Sequence, residues 1–406
     1  MKRVLLFAAT TGYQVGVFAA EARRIGFDLT LATDRCHVLD DPWGDRAVSV
    51  QFENPENTIG SLSARGPFDG VLALGDTPAM VAARVADRLG LRFSPASSVE
   101  TTRDKYLSRK RFHDAGLPTP PFRKVRLAAD PEQEALESRY PCVLKPLSLS
   151  ASRGVIRANT PLEFMQAFAR IKRMLEGETH LLVENFIRGR EFALEGLVSG
   201  GRLQVLALFD KPDPLDGPFF EETIYVTPSR APDAVAGAIF ETTQRAVKAL
   251  GLTDCPVHAE MRLQGTTVWM LEVAARPIGG LCGKVLQFGG ATLEETLLRH
   301  AVGEDVSQTK LSPGAHGVMM IPIPHGGVYL GVEGLEPACA VAGIEDIVIS
   351  AKEGQHMLPL PEGASYLGFI FARGENPDFV EQALRKAHSC LHFHLLPSLP
   401  VVRCKQ

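Results

Sequence analysis

Two apolar runs on either side of Gly265 each carry a glutamate where a buried strand would otherwise hold another aliphatic residue. The first, 257–262, contains Glu260; the second, 268–273, contains Glu272. Alternation along a strand puts His258, Glu260 and Arg262 on one face, and Glu272, Ala274 and Arg276 on one face. The glutamates are twelve positions apart, a spacing that a hairpin closes. Carboxylates on neighbouring strands repel each other unless a cation lies between them. Carboxylates combined with substrate phosphates are the usual magnesium site. Arg276 would then project beside the metal, where negative charge develops during phosphoryl transfer. The alternative, a surface ladder of Glu–Arg pairs, fits poorly with the apolar neighbours.

Three earlier elements suit the same task, holding a nucleotide triphosphate. Lys105 begins a helical segment, and Lys145 follows Val143 and Leu144 at the end of an apolar strand. An ammonium there is costly without a partner, and a phosphate oxygen would supply one. The stretch 148–154 is a loop of small and hydroxyl residues, including Ser152 and Gly154, whose N–H groups could approach phosphates. It lacks the Walker spacing. The third element runs from Leu182 to Glu191. An apolar strand leads into Glu184, Asn185, Phe186 and Ile187, an extended linker with backbone groups for an adenine edge. Gly189 and Glu191 follow, the latter able to accept from ribose hydroxyls.

The rest of the chain supplies a frame for these elements. Residues 4–8, 29–32 and 69–75 read as strands separated by helices, which implies a parallel sheet. Asp76 and Thr77 are N-cap candidates for the helix that runs to Gly90. Prolines at 118, 120 and 121 mark a boundary. Beyond it come the strand 141–146, a helix over 161–175 and the strand 180–184. A hairpin of 190–198 with 202–209, a helix from Val235 to the glycine stop at Gly251, and a helix over 293–301 follow. Residues 305–406 are rich in glycine turns and short strands. The 406 residues are too many for one ordinary core.

Composition excludes several functions. The formal charge of −4 leaves no basic footprint for nucleic acid and no polybasic tract for a membrane. The N-terminal apolar run stops at Thr10-Thr11-Gly12, short for a secretory core and better suited to a first strand. No stretch approaches the roughly 18 apolar residues of a membrane span. Seven cysteines, including Cys36 and Cys404, show no CxxC spacing, which favours reduced thiols in a cytoplasm.

The ordered set of motifs between Lys105 and Gly283 resembles the ATP-grasp superfamily of carboxylate–amine ligases. The resemblance implies an α/β (α+β) fold: a Rossmann-like, parallel-sheet pre-ATP-grasp domain over 1–96, an ATP-grasp domain over 97–304 and a C-terminal α+β domain over 305–406. The ATP-grasp domain would have two halves, 118–187 and 188–304, that clamp the nucleotide. The implied cofactors are ATP and Mg²⁺, one or two ions, with Mn²⁺ as a substitute. Lys105, Lys145, Ser152 and Gly154 would contact phosphates. Glu184, Asn185, Phe186, Ile187 and Leu271 would surround the adenine, Glu191 the ribose. Glu260 and Glu272 would hold the metal, and Arg276 would act on the transferred phosphoryl group.

One position departs from the pattern. The family usually reads Glu-x-Asn-x-Arg on the second metal strand, and here Ala274 replaces the asparagine. Alanine cannot ligate, so one coordination position falls to water or another group. The variant Glu-Val-Ala-Ala-Arg and the following Pro-Ile-Gly-Gly-Leu-Cys-Gly look like bacterial L-amino-acid ligases, which form dipeptides. So does the segment 368–374. The implied reaction activates a carboxylate as an acyl phosphate and joins it to an amine, the partners being small molecules. The segments 216–223 and 279–283 are candidates for a lid or substrate pocket. Two rivals stand: a carboxylate–amine ligase of nucleotide or cofactor biosynthesis, and a nucleotide-binding regulatory protein that has lost turnover. The sequence leaves the oligomeric state open, a homodimer included.

Overall fold

The structure, a computed structural model, describes residues 1–9, 12–34 and 46–397. Thr10, Thr11, Cys36 and Cys404, which entered the sequence reading, lie outside the described residues. The chain divides into two compact units, each assembled from three stretches. One comprises Met1–Phe122, Ile187–Asp210 and Arg230–Pro313; the other comprises Arg123–Phe186, Lys211–Ser229 and Gly314–Gln406.

The first unit opens with the expected parallel sheet. Its strand order is Ala47–Ser49, Asp28–Thr33, Arg3–Ala8, Gly70–Leu74. Val4 through Ala8 are all fully buried, as suits a parallel strand covered on both faces. The helix Asp76–Leu89 follows the last strand and ends at Gly90, whose φ of +67° is the left-handed stop that glycine adopts without strain. A second, antiparallel run has the order Thr267–Ala274, Cys255–Gln264, Arg190–Ser199, Arg202–Lys211. One apolar core serves both sheets: Leu5, Phe7, Val81 and Val85 belong to the same cluster as Phe192, Val257, Met261 and Val273. Burial of these side chains at about 25 cal/mol per Å² is the main force holding the unit together.

In the second unit the order Phe122–Arg126, His180–Asn185, Cys142–Pro146, Ile156–Ala158 forms one sheet. The helix Pro161–Met174 covers it through Phe164, Phe168 and Ile171. That helix starts where Thr160 accepts the Glu163 N–H at 3.2 Å, with proline at the first helical position. A separate core underlies the antiparallel order Ile224–Thr227, Ala315–Ile321, Gly368–Gly374, Ile344–Ile349, which packs the helix Pro377–Ser389. Among the described residues, no helix is long and apolar enough to cross a membrane. Cys142, Cys255, Cys282, Cys339 and Cys390 are free thiols.

Candidate active site

Within the first unit, Glu260 and Glu272 are direct cross-strand partners. Plain strand alternation does not produce this. Near the turn, Met261 lies opposite Met270. Continued without interruption, that register would set Glu260 against Leu271 and turn Glu272 to the other face. A β-bulge at Glu260/Met261 on one strand and Leu271 on the other shifts the pairing by one residue. Leu271 is the residue left over, and its carbonyl accepts from the buried guanidinium of Arg109. The bulge thus brings the two carboxylates onto one face of a hairpin whose neighbours Ala259, Met261, Met270 and Val273 are buried.

His258 and Ala274 form the next pair on the same face. The small alanine faces an imidazole that is itself 7% exposed. His258 Nδ1 lies 3.1 Å from Glu195 Oε2, and its Nε2 lies 3.6 Å from Glu260 Oε1. Burial works against a charged imidazole here. The two carboxylates more than reverse that and hold His258 well above the ordinary imidazole range. Glu195 is fully buried and also accepts the Ile278 N–H, at 3.1 and 3.2 Å. Gln14 Nε2 donates to the Ile278 carbonyl at 2.9 Å. Both backbone polar groups of Ile278 are therefore fixed by buried side chains.

Arg276 lies just beyond the strand end and projects from the held segment rather than from the sheet. Its Nε donates to Asp76 Oδ1 at 2.9 Å, Nη2 approaches Oδ2 at 3.4 Å, and Nη1 donates to the Pro277 carbonyl at 3.1 Å. This corrects the reading of Asp76 as a helix cap. The cap position is Gly75, with a φ of +102° and no side-chain bond, and Asp76 is the first helical residue, its carboxylate turned to Arg276. Burial opposes both charges of this pair. Their mutual attraction outweighs it, holding the Asp76 carboxyl below its usual range and the guanidinium above its own.

Glu191 stands opposite Arg262 and accepts from its Nε at 2.8 Å. Arg262 Nη1 donates to the Ile187 carbonyl at 2.9 Å. The Ile187 carbonyl and one Glu191 oxygen thus already have a donor inside the protein. A Glu191 carboxylate oxygen lies within 4.8 Å of one from Glu260. Gly189, between Ile187 and Glu191, has a φ of +126°, and a Cβ there would meet the Leu263 carbonyl at 2.0 Å. Only glycine fits so close to the neighbouring backbone. Lys105 begins the helix Lys105–Asp114, where the Asp104 carboxylate accepts the Tyr106 and Leu107 N–H groups at 2.9 and 3.0 Å.

The second unit places the other expected residues. Lys145 is 14% exposed and forms an ion pair with Glu184, which is 2% exposed. A protein carboxylate thus partners this lysine as well as any phosphate it meets. Asn185 ends its strand opposite Cys142, and the Phe186 N–H donates to the Pro141 carbonyl at 3.0 Å. The Arg157 guanidinium covers the Phe186 ring at 4.2 Å and donates to the Asp216 carbonyl at 2.6 Å. In the small-residue loop, Ala151 and Ser152 have φ of 54° and 55°, a conformation rare for side chains with a Cβ. The Gly154 N–H donates to the Pro361 carbonyl at 2.9 Å. A Cβ at Gly154 would meet Pro146 Cγ at 2.6 Å, which makes close packing the reason for glycine there.

Asp76, Glu195 and Gln14 were missed by sequence reasoning. Glu195 could have been found by the signal that exposed Glu260, a lone carboxylate in an apolar strand. Asp76 and Gln14 carry no such mark, because their partners lie 200 and 264 residues away.

Residues 138–285 match the ATP-grasp domain family, and residues 319–395 match L-amino acid ligase C-terminal domain 2. The chain is 27% identical over 219 residues to alanine–anticapsin ligase of Bacillus subtilis, covering 48% of this chain and 46% of that protein. It is 26% identical over 239 residues to D-alanine–D-alanine ligase of Bordetella petrii, covering 56% and 72%. It spans about half the length of the first curated relatives it matches. The crystal structure of L-amino acid ligase from Bacillus licheniformis is similar over 98% of this chain and 99% of that one, with a TM-score of 0.82 and 26% identity. An ATP-grasp domain over 138–285 is thus followed by an L-amino acid ligase C-terminal domain over 319–395, in a chain that shares its fold with a solved L-amino acid ligase.

Proposed function

We propose that the protein is an ATP-dependent ligase that activates the carboxylate of one amino acid as an acyl phosphate and joins it to the amine of another. The observation that carries this reading is the bulge-enforced pairing of Glu260 with Glu272 beside the Asp76–Arg276 contact. Two anionic side chains directly opposed on neighbouring strands fit a divalent cation, which would add to the partial compensation that His258 and the Arg276 charge supply. Bound there, Mg²⁺ would neutralise phosphate charge. The relatives that form alanine–anticapsin and D-alanine–D-alanine bonds support an amino-acid substrate class.

The chain's own residues then have separable tasks. Lys105 and Lys145 meet phosphate oxygens, with Glu184 fixing the Lys145 ammonium in place. The left-handed turn at Ala151 and Ser152 presents backbone donors to the same phosphates. Asn185, Phe186, the Ile187 N–H and Leu271 flank the adenine. Glu191 accepts from a ribose hydroxyl. Glu260 and Glu272 hold the metal. Arg276 offers its planar fork to the phosphoryl group as the substrate carboxylate attacks, and to the oxyanion when the amine adds to the acyl carbon. The acyl phosphate hydrolyses if water reaches it, so the segments 216–223 and 279–283 are candidates for excluding it.

Phosphate release from pairs of free amino acids, with mass spectrometry of the product, tests this. A dipeptide mass with one ADP per bond is expected. Phosphate release that needs a different carboxylate and yields no peptide with any amino-acid pair would overturn the substrate class.

Lys145 gives a further prediction. Lys145→Ala should weaken ATP binding by about 10- to 100-fold, the worth of one charge-assisted bond to phosphate. It should also destabilise the protein by about 3–5 kcal/mol, since the buried Glu184 carboxylate loses the ammonium it is paired with. The double variant Lys145→Met with Glu184→Gln should recover much of the stability without the affinity. Calorimetry and melting curves on both proteins check this.

A further inference from the structure

Arg276 has more than one carboxylate within electrostatic reach. Asp76 touches it, and the charges of Glu272 and Glu195 act on it as well. A flexible guanidinium among several anions settles where its fork finds the best acceptor. Here that acceptor is Asp76, on a helix that follows the parallel sheet, far in sequence from the metal hairpin. Glu195 is already occupied by His258 and the Ile278 N–H. Glu272 is therefore the available alternative, and it is one of the two carboxylates read above as metal ligands.

We infer that Asp76 is a positioning residue: it holds the Arg276 guanidinium off Glu272 and aims it at the reacting phosphoryl group. This rests on the proposed roles of Arg276 and Glu272. The geometry suits the task. Asp76 is the first residue of a fourteen-residue helix, so its backbone is fixed by the packing of Ala79, Val81, Ala82 and Ala83. Both its oxygens face the guanidinium, at 2.9 and 3.4 Å, which fixes orientation as well as distance. Pair exposures of 13% and 17% leave little room for water to substitute. A cation cluster backs the carboxylate: Lys105 and Arg103 add to Arg276 in holding it ionised. Arg103 Nη1 lies 3.7 Å from Met80 Sδ, one turn along the Asp76 helix. A pair meant only to tie a strand end to a helix would not need such an excess of positive charge around one carboxylate. A device that orients one guanidinium beside a dianionic group would.

The contact predicts a specific failure. In Asp76→Asn the shape is kept and the charge is lost, so the guanidinium turns toward Glu272 and competes with the metal. Product formation should fall by about 10- to 100-fold, the range for a group that orients a functional residue from behind it. Mn²⁺ binding, measured by calorimetry without nucleotide, should weaken by about tenfold. Asp76→Glu should recover part of both. The decisive measurement is the double-mutant cycle: placed in an Arg276→Ala background, Asp76→Asn should cause no further loss of rate and no loss of Mn²⁺ affinity. The inference is overturned if Asp76→Asn matches the wild type in rate and metal affinity, or if it lowers both by the same factor with and without Arg276. If Arg276→Ala is itself fully active, the role of Arg276 falls and this inference falls with it.

Discussion

Replacing Arg276 with alanine is expected to cut amide formation by on the order of 100- to 1000-fold while Mg-ATP still binds, because the lost donor acts on charge that develops in the transition state. The buried geometry adds a second effect. Asp76 would be left without the partner that holds its charge, so the melting temperature should drop too. A fall in stability therefore cannot by itself separate a catalytic role from a structural one. Arg276→Lys separates them. Lysine keeps a charge for Asp76 and should restore most of the melting temperature, but its ammonium is a point donor and cannot reproduce the fork. An active but unstable alanine variant, or a lysine variant with wild-type turnover, would refute the catalytic assignment.

Glu260→Gln and Glu272→Gln should each abolish turnover, since a neutral amide is a poor ligand for a hard cation. Their effect on stability has the opposite sign from most core changes. Without metal, the two carboxylates oppose each other across the hairpin, and removing one charge relieves that repulsion. The metal-free melting temperature of Glu272→Gln should stay level or rise, while Glu260→Gln also loses its contact with His258 and should gain less. Added Mg²⁺ should stabilise the wild type, by about 2.7 kcal/mol at a hundredfold excess over its Kd, and should do little for either variant. Thermal melts with and without Mg²⁺ read both effects from one titration. A glutamine variant that melts higher with Mg²⁺ by as much as the wild type would show that the metal sits elsewhere.

The local structure was largely legible because its signals are local. The apolar run at 4–8 gave a buried parallel strand, and Gly90 and Gly251 ended helices where expected. The hairpin around Gly265 was found from its two apolar runs. Register was not legible. The twelve-position spacing of Glu260 and Glu272 suggested that they could meet, but nothing in the sequence announced the bulge that makes them meet. Partnership over long sequence distances was hidden for the same reason. Lys145 looked unpaired because Glu184 lies on another strand, and Asp76 looked like a cap because caps are local and Arg276 is 200 residues away. The sequence also could not show that Gly154 donates to Pro361, which ties the small-residue loop to a segment near the C-terminal end.

The unpaired residue at 271 makes the position of the second carboxylate a matter of parity. In a hairpin of fixed turn and unbroken ladder, each residue added or removed between the turn and Glu272 would exchange the two faces of everything beyond it. Deleting Leu271 would lengthen no bond and bury no new charge by itself. It would restore an even ladder, in which the glutamate moved into the gap stands opposite Glu260 by ordinary pairing, while Arg109 loses the carbonyl it now holds. The two carboxylates thus meet because the bulge absorbs the extra residue at 271, and Arg109 holds the carbonyl of that residue.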